Sequence, residues 1–111
     1  MAAKDLIPTH KHLLSPTLAV LDALGGEASI AEIDAAIVEL LGLTPREKSA
    51  RHSLTGELVV GKRMAWARSL LKRAEMVSNP KRGYWSLTQE GRAALALSVE
   101  QLRVAVDAAL D

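Results

Sequence analysis

The chain has 111 residues, 14 Lys/Arg against 13 Asp/Glu and no cysteine, which suits one domain with its own core and leaves no room for a conventional catalytic domain beside it. Disulfides and thiolate metal sites are excluded, a reducing cytoplasmic setting fits, and neither a secretory signal at Met1 to Pro8 nor a membrane-length apolar run is expected. The net charge of +1 hides a polarity: residues 43–92 hold eleven Lys/Arg against four acids, and the remainder three against nine, as expected of a domain that turns one face to a polyanion.

In chain order, Ser15-Pro16 reads as an N-cap followed by proline in the first helical position, opening a helix to about Leu24 with Leu14, Leu18 and Leu21 on its inner face. Gly25-Gly26 ends it, and Ala28 to Ile30 is a candidate first strand. Ser29 with Glu32 forms a capping box, behind which Ile30, Ile33, Ile37, Leu40 and Leu41 repeat at helical spacing. Gly42 closes that helix. Thr44-Pro45-Arg46-Glu47 repeats the capping pattern for a short third helix fading near Arg51, and His52 to Glu57 is polar and turn-rich.

A longer helix is expected from about Leu58 to Ala74, because Val60, Met64, Ala67, Leu71 and Ala74 form one apolar stripe. The opposite side carries Lys62, Ala65, Arg68, Ser69, Lys72 and, at its edge, Arg73, with no acid to repel phosphate. Val77 to Asn79 and Tyr84 to Leu87 pair as a hairpin, with Pro80 and Gly83 in the turn and Lys81-Arg82 at its tip. Thr88 starts a last long helix in which Leu95, Val99, Leu102, Val106 and Leu110 repeat, part of it expected to pack on something other than the small core.

A basic helix followed directly by a basic hairpin is the DNA-facing half of a winged helix-turn-helix, so the fold class is mainly α with a small β-hairpin (α+β). Residues 1–95 form the winged-helix DNA-binding domain, and 96–111 a C-terminal helical extension serving as linker or dimerisation helix. The expected DNA contacts are Lys62, Arg68, Ser69, Lys72, Arg73, Lys81 and Arg82, with Arg51, Ser53 and Thr55 as further phosphate contacts before the long helix. Trp66 and Trp85 are expected to seal helix against sheet with their indole N–H groups reaching outward, and Arg63 to pair with an acid. His10, His12 and His52 lack the spacing of a metal set, and His52 with Ser53 and Thr55 has no buried acid to make a triad. No catalytic residue, metal or cofactor is assigned.

The segments RMAWAR, LLKRAEMV and NPKRGYWSLTQEGR, with the opening IPTHKHLLSPTLAVLDALGGEASIAEI, resemble the N-terminal winged-helix domain of the Mrr family, the type IV restriction endonucleases directed at modified DNA. The matching pieces are the IPT start, the helix-ending glycine pair, the R-x-x-W-A-R helix and the RG-x-W-x-L-T-x-x-G wing and exit, across roughly residues 6–95. The resemblance implies a double-stranded DNA partner, methylated or not, in a bacterial restriction system, in the cytoplasm on the nucleoid, with a nuclease domain elsewhere in the parent protein. That family's nuclease motif needs carboxylates for a divalent metal and a lysine two residues after the last of them. No Asp or Glu here is followed by x-Lys, so the chain is expected not to cleave by itself. Two other readings remain open: a stand-alone DNA-binding regulator that dimerises through its C-terminal helix, and a protein-interaction winged helix whose basic face meets an acidic partner.

Overall fold

A computed structural model describes residues 9–51 and 55–111. A 3-10 turn, His10–Leu13, runs straight into α1 (Leu14–Ala23), followed by β1 (Glu27–Ser29), α2 (Ile30–Leu41), α3 (Pro45–Ser49) and α4 (Val59–Arg73). The hairpin β2 (Val77–Lys81) and β3 (Tyr84–Leu87) leads to α5 (Gln89–Ala94) and α6 (Val99–Leu110). The sheet is antiparallel in the order β1-β3-β2, with Ala28 opposite Trp85 and Val77 opposite Leu87. This is an α+β winged helix.

The core lies where α1, α2, α4 and the sheet converge. Leu21, Ile33, Ile37, Ala67 and Leu71 are fully buried, and each large aliphatic side chain among them contributes about 1.5–3 kcal/mol by leaving water. Thr17, the one buried hydroxyl on α1, is satisfied by donating to the Leu13 carbonyl at 2.7 Å. The capping boxes at Ser29–Glu32 and Thr44–Glu47 both form, and Gly42 ends α2 in the left-handed conformation at φ 62°.

Several expectations change. Ser15 is not an N-cap: the 3-10 turn enters α1 directly, leaving Ser15 and Pro16 inside its first turn, where proline's missing N–H costs nothing. β1 begins and ends one residue earlier than expected, since Ser29 caps α2 and Ile30 is already helical. α2's apolar repeat is only half used: Ile33 and Ile37 are buried, whereas Ile30 and Leu40 face outward.

The long terminal helix is two helices. α5 stops at Ala94, and Ser98 starts α6 with a third capping box, its side chain accepting from the Gln101 N–H while Gln101 accepts from the Ser98 N–H. α6 folds back on α1 and α4, and Leu102 and Val106 join the common core at 1% exposure each. Two residues of the expected repeat, Leu102 and Val106, are thus buried against the chain's own helices, while Leu95 and Val99 are exposed. Val99 and Val104, which remain exposed, lie five positions apart and point to different sides of α6.

Candidate nucleic-acid interface

α4 owes its two-sided character to its sequence: Val60, Met64, Ala67 and Leu71 face the core, while Lys62, Ser69, Lys72 and Arg73 are exposed. The following hairpin places Lys81 and Arg82 at the same end of the sheet. Its turn is tighter than expected, because β2 runs on through Pro80 and Lys81 and only Arg82-Gly83 form the tip, with Gly83 at φ 82°. A register shift between Ser78 and Lys81 accommodates Pro80 on this edge strand, and the Asn79 amide stitches the bulge by donating to the Lys81 and Tyr84 carbonyls. The wing is thereby a shaped element rather than a loose loop.

Two aromatic rings steady its cations. The Lys81 ammonium lies 4.2 Å from the centre of the Tyr84 ring, and the Lys72 ammonium 5.9 Å from that of Trp85. The first contact lies within the wing and the second ties helix to wing. Lys62 pairs with Glu57 at 2.7 Å, but both side chains are more than half exposed, so the pair contributes little to stability. Arg51 closes the loop before α4 by donating to the Gly56 carbonyl at 2.7 Å and bridging to Leu58. Thr55 is exposed, its hydroxyl accepting from the Glu57 N–H at 3.3 Å; Ser53 and His52 lie outside the described residues.

Arg68 departs from its assignment. It is 5% exposed and donates from Nη1 to Asp34 of α2 at 2.6 Å, its guanidinium carbon 5.8 Å from the centre of the Trp85 ring. Adjacent to Ala67 and four residues after Met64, it borders the buried stripe, and α2 supplies the acid that draws it inward. It fixes α4 on α2 instead of facing outward. Burial raises the Asp34 pKa above its ordinary value, and the Arg68 charge and hydrogen bond only partly offset this.

The two tryptophans also divide. Trp85 packs partly buried against the core, yet its N–H is enclosed without a partner rather than reaching outward. Trp66 does not seal anything: it is 54% exposed, in line with Lys62, Ser69 and Arg73 on the outer face of α4, and meets the ring of His10 edge-on at 5.8 Å. Partial burial, with Lys11 and Arg63 nearby, holds the His10 pKa below its ordinary value.

Behind the wing, a hollow of about 470 Å³ is lined by Lys72, Asn79 and Thr88 together with Glu75 and Glu90. Its two carboxylates make this hollow less basic than the outer face of α4. Among the described residues, no three His, Cys, Asp or Glu side chains gather as a metal site, and no helix is long and apolar enough to cross a membrane.

Comparison with known proteins finds a match over residues 10–97 to the Mrr N-terminal domain. The type IV methyl-directed restriction enzyme EcoKMrr of Escherichia coli (strain K12) is 32% identical over 85 residues, which cover 77% of this chain and 28% of that protein. No solved structure gives a significant match.

Proposed function

The chain belongs to the Mrr N-terminal domain family, and from that premise we propose that it is a double-stranded DNA-binding module, non-catalytic by itself, that positions a nuclease domain of its parent protein. The matched segment accounts for 28% of the relative's length, which leaves the remainder to carry such a domain. One observation carries the reading: Lys62, Lys72 and Arg73 on α4 and Lys81 and Arg82 on the wing are exposed on two elements that a winged helix applies together to a duplex. α4 enters the major groove, and the wing reaches the flanking backbone. The setting is a bacterial restriction system acting on the nucleoid.

Fluorescence anisotropy with one labelled duplex, in unmodified, N6-methyladenine and 5-methylcytosine forms, tests this. With five phosphate contacts, log affinity should fall against log salt with a slope of roughly −4 to −5. A preference among the three duplexes identifies reading of the modification by this domain; equal affinities assign that discrimination to the rest of the parent protein. Replacing Lys81 and Arg82 together by Ala should reduce the slope by about two and weaken binding to all three alike. Binding that is absent at low salt, or indifferent to salt, moves the basic face to an acidic protein partner.

A further inference from the structure

Trp66 stands where the DNA-binding reading has no use for a core residue. At about 100° per residue, Lys62, Trp66, Ser69 and Arg73 fall on one stripe of α4, displaced by two positions from the buried stripe of Val60, Met64, Ala67 and Leu71. The indole is therefore on the exposed side of α4, 54% exposed, and is turned toward His10.

It is not an isolated ring. His10, delivered by the 3-10 turn before α1, meets it at an interplanar angle of 73°. Lys62 and Arg63 complete an open hollow of about 250 Å³ around the two rings. Burial, with Lys11 and Arg63 nearby, favours the neutral imidazole of His10, and the two rings form an aromatic corner with cations at its rim. Lys62 is also paired with Glu57.

A planar, partly apolar group that carries a negative charge at its edge fits this arrangement. In an intact duplex the faces of the bases are covered by their stacked neighbours, and only their edges reach the groove. A base that has left the stack offers a bare face to the indole and brings its own phosphate to the rim. We infer that the Trp66–His10 corner is a stacking subsite for one unstacked nucleobase at the edge of the DNA footprint. This rests on the duplex-binding reading and adds to it a preference for DNA with a displaced base.

The test is anisotropy with the whole chain and three labelled DNAs of one sequence: a fully paired duplex, the same duplex with one unpaired thymine, and the single strand. The duplex with the unpaired base should bind about tenfold more tightly than the paired one. Trp66→Ala should erase that advantage, while Trp66→Phe retains part of it. A gain with the unpaired-base duplex but not the single strand assigns the base to an extruded position in a duplex; an equal gain with the single strand assigns it to unpaired DNA in general, and either supports the subsite. Equal affinity for paired and unpaired-base duplexes overturns it, as does an advantage that survives Trp66→Ala or a Trp66→Ala loss confined to paired DNA. The duplex reading fails separately, if the paired duplex is not bound at low salt while the unpaired base still recruits the native chain.

Discussion

Gly91→Ala should cost about 3 kcal/mol of folding stability, at the upper end of the overpacking range. A Cβ at this position of α5 would stand 1.9 Å from the Met76 carbonyl oxygen, 3.0 Å from its carbon and 3.1 Å from a Leu87 methyl. The Met76 carbonyl is backbone and cannot step aside. Met76 leads into β2, and its carbonyl accepts the Thr88 N–H at 3.2 Å, where the chain leaves the sheet. The added methyl must therefore lift α5 off the base of the wing. A urea titration should show a lowered midpoint with an unchanged slope, and DNA affinity should fall with the wing's position. Gly61→Ala is the internal control: its Cβ would find only Leu58 Cβ at 3.9 Å, so exchanging a helical glycine there should stabilise α4 by about 0.5–1 kcal/mol. Equal behaviour of the two variants would refute the close approach at Gly91.

Arg68→Ala should be nearly as damaging, at about 3 kcal/mol, because it strands the partly buried Asp34 and empties the space beside Trp85. Arg68→Met keeps most of the packing and should cost less. The loss also carries a pH signature. Burial already raises the Asp34 pKa, and Arg68 is what restrains it; without the guanidinium it rises further. An acid with a raised folded pKa favours the folded state while protonated, below its unfolded value, and that contribution disappears as pH rises through the folded value. The stability gap between native protein and Arg68→Ala should accordingly widen as pH increases from about 4. A gap that stays constant from acid to neutral pH would show that Asp34 does not feel Arg68. The exposed cations behave oppositely: Lys72→Ala or Arg73→Ala should weaken DNA binding with little change in stability.

The contrast between Arg68 and its neighbours marks how far the sequence could be read. Local signals were sufficient for Ser29 with Glu32, for Thr44 with Glu47 and for the left-handed Gly42, since a cap depends on residues within one turn of each other. The apolar stripe of α4 was legible for the same reason. Arg68 was not, because its partner Asp34 lies 34 positions away on another helix. Trp66 was misplaced for a different reason: a large aromatic residue is usually interior, and here spacing places it with Lys62 and Arg73 instead. The division of the last helix had a local signal, the capping pair Ser98 and Gln101, but the apolar repeat running across it masked the break. Of the candidate contacts, Lys62, Ser69, Lys72, Arg73, Lys81 and Arg82 are brought to the surface of α4 and the wing, Arg51 and Thr55 are exposed in the loop before α4, and Arg68 is withdrawn.

The irregularity in β2 also bears on how the protein behaves at high concentration. A three-stranded sheet in the order β1-β3-β2 has two open margins, each able in principle to recruit a strand from another molecule. β1 is only three residues long. On the other margin, Pro80 offers no N–H, the bulge after Ser78 breaks the straight run of backbone groups, and Lys81 adds charge beside it. The kink that shapes the wing thus also closes the sheet to extension, so that copies brought close together do not join edge to edge.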